Sequence, residues 1–248
     1  MRIISLIFCS LLGMGAYAQT AADGQAASPQ GQLITLTTAI GTTLHGYVAG
    51  PPDASRGILL LHDRWGLNRA MRGEVEQFAQ RGYRALAIDV FDGRASDDMD
   101  LATEIMNSTD PEWVKTDIVA GLSYLEAQGR EIAAMGWGYG GWQSLHAGLA
   151  NTQSVGAVIV WYGDMAMTFD EARLLRAPVL GLFGRHDQQI TLDDVERYRQ
   201  RFRKGFVLYD LQVFDAGHGF ADPLYPTFNQ QVAERAWNMV DRFLDEHL

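Results

Sequence analysis

The sequence predicts one α/β domain with a mainly parallel central sheet and helices on both faces. Two observations support this prediction. Strand patterns and helix patterns alternate along most of the 248-residue chain, which is typical of parallel sheets covered by helices. Residues 57–62 also form a continuous apolar run that ends at His62, as expected for a strand buried on both faces. The composition, 47% hydrophobic and 20% charged, fits a globular domain of this size.

Local signals define the predicted elements in chain order. Two short strand patterns on either side of Gly41 predict an antiparallel pair, and Gly82 follows a helix pattern where a C-terminal glycine is favoured. Pro111, directly after Asp110, predicts a helix start because proline fits the first helical turn. The predicted strands are 33–36, 44–48, 57–62, 84–89, 132–136, 155–161, 178–183 and 207–213; the predicted helices are 69–81, 101–107, 111–128, 141–150, 192–202 and 228–248.

The N-terminal segment predicts a secretory signal peptide over residues 1–18. Arg2 supplies a positive start, residues 3–14 form an apolar run, and Ala16-Tyr17-Ala18 is a small-x-small cleavage site. The run is too short to span a membrane, although an uncleaved N-terminal anchor is the alternative. Residues 19–32 are expected to be a flexible lead-in to a domain over 33–248. We therefore expect an exported protein, periplasmic or secreted.

Charge and cysteine usage exclude several classes of function. The formal net charge is −10, from 20 basic and 30 acidic residues, which disfavours nucleic acid and anionic membranes as partners. Cys9, the one cysteine, lies inside the predicted signal peptide, so the mature chain would have neither a disulfide nor a thiol nucleophile. The six histidines show no metal-ligand spacing, and we predict no metal and no cofactor. The oligomeric state is left open.

The residues capable of chemistry follow predicted strands, at the sheet edge where parallel α/β proteins place their sites. Residues 136–141, Gly-Trp-Gly-Tyr-Gly-Gly, join a strand to a helix pattern. This arrangement is that of a nucleophile elbow, with Gly138 at the nucleophile position. Asp187 and His218 each follow a later strand. Elbow, Asp, His is the triad order of α/β-hydrolases, in which the acid orients and supports the histidine.

From about residue 33 to its C-terminus, the chain resembles the dienelactone hydrolase family of α/β-hydrolases. Six segments carry the resemblance, namely residues 61–68, 81–89, 90–94, 136–141, 183–187 and 217–220. The resemblance implies the α/β-hydrolase fold and hydrolysis of small esters or lactones through a Cys-His-Asp triad. It further implies His218 as base and Asp187 as orienting acid. Arg64 and Tyr139 would supply the backbone N–H groups of the oxyanion hole.

Gly138 departs from the family pattern because it stands where the family has its cysteine. Loss of the nucleophile costs about 2 × 10⁶ in turnover in a well-studied serine protease, so covalent catalysis is expected to be weak or absent. Ser123 and Ser144 lie in helix patterns outside any elbow. Two hypotheses remain: a hydrolase with residual activity, for example through water activated by His218, and a non-catalytic relative that binds a small ligand.

Three further residues are candidates for substrate binding. Asp63 replaces the family's glutamate and is either part of the site or a solvated carboxylate. Arg94 either binds a substrate carboxylate bidentately, as the family's arginine does, or lies on the surface. Trp137 belongs to a set of tryptophans that either packs in the core or lines a pocket. Residues 221–223, Ala-Asp-Pro, lack the second arginine of dienelactone-cleaving members, which argues against an anionic dienelactone as substrate.

Overall fold

A single eight-stranded sheet forms the centre of the protein in a computed structural model that describes residues 30–127 and 129–248. The predicted signal peptide and most of the predicted lead-in lie outside the described residues. The strands are β1 (Gln32–Thr37), β2 (Thr43–Ala49), β3 (Arg56–Leu61), β4 (Arg84–Ile88), β5 (Glu131–Trp137), β6 (Val155–Trp161), β7 (Val179–Gly184) and β8 (Tyr209–Phe214). The helices are α1 (Arg69–Gln80), α2 (Met99–Asn107), α3 (Pro111–Glu126), α4 (Tyr139–Ala150), α5 (Phe169–Leu174), α6 (Leu192–Gly205) and α7 (Gln230–His247).

The strand order is β1-β2-β4-β3-β5-β6-β7-β8. β1 pairs antiparallel with β2, and β2 pairs antiparallel with β4. All pairings from β4 across to β8 are parallel. The predicted mainly parallel sheet and the antiparallel pair at its start are therefore confirmed. The parallel pairing brings the carboxyl ends of β3, β5, β7 and β8 to one edge.

Helices cover both faces of the sheet through apolar side chains. On one face, α1 and α7 contribute buried residues that include Phe78 and Val240. On the other face, α3, α4 and α6 contribute buried residues that include Leu122, Leu145 and Phe202. Full burial of a large apolar side chain stabilises the fold by about 1.5–3 kcal/mol. These two layers fix the strands and thereby position the loops at the carboxyl edge.

Helix ends follow the predicted capping signals. The side chain of Asp110 accepts a hydrogen bond from the backbone N–H of Glu112 at the start of α3, with Pro111 in the first turn. Gly82 follows α1 with φ +86°, a conformation that costs glycine little. These two local predictions are confirmed.

Several element boundaries differ from the prediction. The sequence pattern did not indicate α5, a six-residue helix that begins with a capping box between Thr168 and Glu171, because six residues are too few to show helical periodicity. α4 begins at Tyr139 rather than at 141, since the glycines after the elbow are helical. α7 begins at Gln230, where the side chain of Asn229 caps the backbone N–H of Val232.

Candidate active site

The turn between β5 and α4 has the strand–turn–helix geometry of a nucleophile elbow. Gly138 has φ +49° and ψ −112° and precedes the first residue of α4. Helix and sheet approach closely here: a Cβ on Gly140 would lie 2.0 Å from the carbonyl oxygen of Leu61. Glycine is therefore required at position 140 by packing. The elbow forms, but its central residue presents no side chain.

Asp187 and His218 form a hydrogen-bonded pair, as the strand-end motifs predict. His218 Nδ1 lies 2.7 Å from Asp187 Oδ2. The other carboxylate oxygen, Asp187 Oδ1, accepts hydrogen bonds from the backbone N–H groups of Gln189 at 2.7 Å and Ile190 at 2.9 Å. The Asp187 side chain is fully buried and His218 nearly so. Because Nδ1 donates to a fixed carboxylate, the neutral imidazole carries its free lone pair on Nε2.

His218 Nε2 is buried and has no hydrogen-bond partner in the described protein. The His218 residue lines a cavity of about 250 Å³ that opens between the elbow and the loops after β6, β7 and β8. The lining residues are Arg64, Met106, Gly138, Tyr139, Trp142, Tyr162, Gly163, Asp164, Gln189, Ile190 and His218. A histidine that is oriented by a carboxylate on Nδ1 and has no partner on Nε2 has the arrangement of a general base.

A carboxylate of the protein itself binds the backbone donors that the family resemblance implies for an oxyanion hole. The two backbone N–H groups implied as oxyanion donors, those of Arg64 and Tyr139, both donate to Asp63 Oδ1, at 2.8 and 3.1 Å. Asp63 Oδ2 accepts a third hydrogen bond from the Tyr225 hydroxyl at 2.6 Å. Asp63 is only 4% exposed. Of the two alternatives for this residue, part of the site or a solvated carboxylate, the structure therefore excludes the second. The Asp63 carboxylate thus engages both of the implied oxyanion donors at once.

The Asp63 carboxylate also fills the space of the missing elbow side chain. A Cβ on Gly138 would lie 2.3 Å from Asp63 Oδ1 and 2.6 Å from its Cγ, far inside the 3.0 Å limit for real Cβ atoms. The water molecule that could have stood in this space beside His218 therefore has no room there. A side chain at position 138 and this position of Asp63 exclude one another.

His62 holds the loop that carries Asp63. Its Nδ1 lies 2.8 Å from the carbonyl oxygen of Asp63, and its Nε2 accepts a hydrogen bond from the backbone N–H of Val90 at 3.2 Å. The imidazole is fully buried, and this burial lowers the pKa of His62. A neutral ring with one donor and one acceptor satisfies both contacts and fixes the backbone at the carboxyl end of β3.

Tyr162 is a functional candidate that the sequence did not indicate. Its hydroxyl is buried without a hydrogen-bond partner in the described protein, and the residue lines the cavity. Burial and the negative charge of Asp63 raise its pKa well above the usual value, so the phenol stays protonated. Tyr162 also has φ +39°, a strained conformation for a bulky residue and one that concentrates at functional sites.

Arg64 places a guanidinium at the cavity wall. One terminal nitrogen donates to Thr103 Oγ1 at 3.3 Å and the other to Gln189 Oε1 at 3.1 Å. Within the described ranges, no carboxylate pairs with it. An arginine bound only to neutral groups retains its capacity to bind an anionic or carbonyl oxygen of a ligand.

Arg94 and Trp137 lie away from this cavity. Arg94 donates to the carbonyl oxygen of Phe91 at 2.9 Å and to Ser108 Oγ at 3.0 Å, so its guanidinium holds the end of α2. Trp137 stacks on Trp161 with ring centroids 6.3 Å apart, within the core. Trp142 is the tryptophan that lines the cavity. The predicted role of Arg94 in substrate binding gains no support from its position, whereas Trp137 also lines a smaller cavity together with Asp63.

Ser144 has a structural role. Its hydroxyl is fully buried and donates to the carbonyl oxygens of Gly141 and Ile159, at 2.7 and 3.0 Å. It therefore joins α4 to β6. Ser123 lies on α3 and is exposed. Neither serine lines the same cavity as His218.

A smaller cavity of about 70 Å³ is lined by Asp63, which does not line the larger one. Glu74 and Asp222 line it together with Trp65. Burial raises the pKa of Glu74 to about 7, and burial also raises the pKa of Asp222. Acidic groups near Asp63 are thus biased toward their neutral forms.

Over residues 30–127 and 129–248, no group of side chains is placed to hold a metal ion. No described helix is both long and apolar enough to cross a membrane.

The structure has an α/β-hydrolase fold with a histidine–aspartate pair at the carboxyl edge of its sheet. The chain belongs to the dienelactone hydrolase family, whose sequence profile matches residues 44–248. "Protein usf" of Aquifex pyrophilus is 24% identical over 220 residues, which cover 84% of this chain and 95% of that protein.

Solved structures show the same fold. The structure titled m3DLH is 23% identical and has a TM-score of 0.79, with 89% of this chain and 99% of that chain covered. A second, titled dienelactone hydrolase-like promiscuous phosphotriesterase P91 and obtained from metagenomic libraries, is 20% identical with a TM-score of 0.76. It covers 88% of this chain and 99% of that chain.

Proposed function

We propose that this protein is an exported member of the dienelactone hydrolase family that binds a small ester, lactone or related ligand in the cavity that His218 lines. We further propose that it hydrolyses simple esters weakly or not at all. The observation that carries this proposal is the position of Asp63 Oδ1, which accepts hydrogen bonds from the backbone N–H groups of both Arg64 and Tyr139.

Ordinary ester hydrolysis by this family needs two things that this site lacks. The first is a nucleophile at position 138, where the chain has glycine. The second is a free oxyanion hole, because charge develops on the carbonyl oxygen in the transition state. Loss of one oxyanion donor costs about 10²–10³ in turnover in a known hydrolase. Here a carboxylate of this chain engages both donors, so a substrate oxyanion would have to displace it.

The cavity nevertheless retains the features of a small-molecule site. Its wall combines apolar side chains, Met106 and Trp142 among them, with a few polar groups that converge on the space. Two lining residues, His218 and Tyr162, have buried polar atoms without hydrogen-bond partners in the described protein, and Arg64 offers a cation. Buried polar atoms without partners are costly. A ligand with oxygen acceptors would satisfy the donors among them.

The test is turnover of p-nitrophenyl acetate and of a small lactone by the protein from residue 19 onward, beside two matched histidine variants. His218→Gln removes the cavity base. His186→Gln is the control, because His186 is exposed and pairs with Asp215 outside the cavity. We expect turnover close to the buffer rate in all three proteins. Fast hydrolysis that His218→Gln abolishes and His186→Gln preserves would refute the proposal.

Ligand binding is tested separately by thermal shift with small lactones and short carboxylic acids. Arg64→Gln is expected to lower the stabilisation by ligand, while Arg185→Gln, at an exposed arginine outside the cavity, leaves it unchanged.

The proposal of export rests on the sequence of the first 18 residues. The N-terminal residue of protein recovered outside the cytoplasm is expected to be Gln19.

A further inference from the structure

Two further cavities follow the His218 cavity along helix α4. The second cavity, of about 460 Å³, shares Trp142 with the His218 cavity. The third, of about 310 Å³, shares His146, Leu149 and Glu171 with the second. Each cavity therefore adjoins the next through side chains that line both. We call the second and third cavities together the α4 groove.

The geometry of α4 explains the order of these cavities. The α4 side chains that line the second cavity are Trp142, Leu145, His146 and Leu149. Spacings of three and four residues place them on one face of the helix. This face leads from the elbow toward Ala150, which lines the third cavity. At a rise of about 1.5 Å per residue, Trp142 and Ala150 are about 12 Å apart along the helix axis.

The wall of the groove is continuous with the wall of the His218 cavity. Trp142 lines the first and second cavities, and His146 lines the second and third. The rings of these two residues are in edge contact, with centroids 4.6 Å apart. A ligand bound beside His218 therefore has an extended surface next to it, in the direction of the C-terminal end of α4.

Apolar side chains from other elements also line the α4 groove. The loop after β6 contributes Ala166 and Met167 to the second cavity, while α3 and α5 contribute Val119 and Leu174 to the third. Val119 is 43% exposed and Leu174 is 60% exposed. Contact of such side chains with water is unfavourable, so an apolar ligand that covers them gains free energy.

The polar groups of the groove have partners within the protein or are neutral. Glu171 Oε2 accepts hydrogen bonds from the backbone N–H and the hydroxyl of Thr168, at 2.7 and 2.8 Å. Lys115 Nζ pairs at 2.6 Å with a carboxylate one turn earlier on α3. Burial, together with the positive charge of Lys115, lowers the pKa of His146, so its ring is neutral at pH 7. Arg201 also lines the second cavity, and an arginine covers apolar groups with its aliphatic stem while its head reaches water.

We infer that the α4 groove holds the linear alkyl tail of a ligand whose polar head lies in the His218 cavity. The inference rests on the proposed function and specifies its ligand as a lactone or ester with an unbranched aliphatic chain. The tail passes Trp142 and runs toward Ala150. A second copy of this chain could also cover the apolar side chains, but only a ligand tail makes use of the continuity with the His218 cavity.

The test is isothermal titration calorimetry of the protein from residue 19 onward with a series of γ-lactones. The series is γ-hexalactone, γ-octalactone, γ-decalactone and γ-dodecalactone, which share one head and differ in tail length. Each added methylene is expected to lower the Kd about two- to fourfold. Full burial of a methylene corresponds to about fourfold, and a groove open to solvent buries part of it. The gain is the ratio of the Kd for γ-hexalactone to that for γ-dodecalactone in the same protein.

Three matched variants locate the tail. Ala166→Trp and Ala150→Trp place a large side chain at exposed positions in the walls of the second and third cavities. Ala166→Trp is expected to abolish the gain, and Ala150→Trp to remove only the part contributed by the longest tails. Ala39→Trp is the control, since Ala39 is exposed in the turn between β1 and β2 and lines none of the three cavities. It is expected to show the wild-type gain.

A wild-type Kd that is independent of tail length would overturn the inference, as would a full gain in Ala166→Trp. A wild-type dimer in sedimentation velocity that Ala166→Trp converts to monomer would also overturn it, because a second copy would then cover the groove. If γ-hexalactone binds and its longer homologues bind no more tightly, only this inference fails. If no lactone of the series binds, the proposed function fails as well.

Discussion

Substitution of Gly138 by alanine tests the central geometric finding directly. The added Cβ would lie 2.3 Å from Asp63 Oδ1, so the carboxylate must leave its position. Its displacement breaks the hydrogen bonds from Arg64, Tyr139 and Tyr225. Each hydrogen bond to a charged group contributes about 1.5–3 kcal/mol, part of which returns if the carboxylate reaches water. Strain at φ +49° adds about 1–3 kcal/mol.

We therefore expect Gly138→Ala to lower the free energy of unfolding by about 3–6 kcal/mol. The assay is equilibrium urea denaturation followed by tryptophan fluorescence. Gly73→Ala is the matched control: Gly73 lies in α1, has no positive φ, and an added Cβ there meets nothing within 4 Å. That control is expected to be neutral or to stabilise the protein by up to about 1 kcal/mol.

A double-mutant cycle with Asp63→Ala separates the clash from other effects. If the two positions compete for one space, the double variant loses at least about 1 kcal/mol less than the two single variants together. A Gly138→Ala variant within about 0.5 kcal/mol of wild type, or strictly additive losses, would contradict the reasoning.

Three further predictions follow from the same region. Gly138→Cys alone is expected to remain inactive on p-nitrophenyl acetate, whereas Gly138→Cys with Asp63→Ala gains measurable hydrolysis; activity in the single variant would contradict this. Tyr225→Phe is expected to cost about 1.5–3 kcal/mol in urea denaturation, because the buried Asp63 loses a donor. The pKa of Glu74 is raised by burial to about 7, so its contribution to stability falls as the pH rises from about 4.5 to about 7. Glu74→Gln is therefore expected to be more stable than wild type by about 2–3 kcal/mol at pH 8 and no more stable below pH 4.5; equal thermal unfolding at both pH values would refute it.

The sequence predicts the sheet and the edge at which the site lies because both depend on local patterns. Continuous apolar runs mark strands buried on two faces, and residues that follow such strands meet at one edge. For that reason Asp187 and His218, 31 positions apart, are found in hydrogen-bond contact. Glycine spacing likewise predicts the turn at Gly138, since few other sequences allow strand and helix to approach so closely.

The contact of Asp63 with the implied oxyanion donors could not be predicted from the sequence, because it depends on one rotamer and on distant partners. Asp63 meets Tyr139 and Tyr225, which lie 76 and 162 positions away. No periodicity or spacing relates such residues. Tyr162 could not be predicted for a similar reason. A tyrosine that follows an apolar strand has the sequence context of a core residue, and only the structure shows that it lines the cavity and that its hydroxyl has no partner in the described protein.

The mutual exclusion between a side chain at position 138 and the carboxylate of Asp63 has a consequence for the history of this chain. An ancestor with a thiol at the elbow could not also have held its acidic neighbour in this rotamer. Loss of the thiol would have opened the space that the carboxylate now fills, and return of a thiol would now meet a steric and electrostatic barrier. Once glycine stands at position 138 and the Asp63 carboxylate fills the space, a return to a side chain at position 138 also requires the carboxylate to move. The return is therefore harder than the original loss of the side chain.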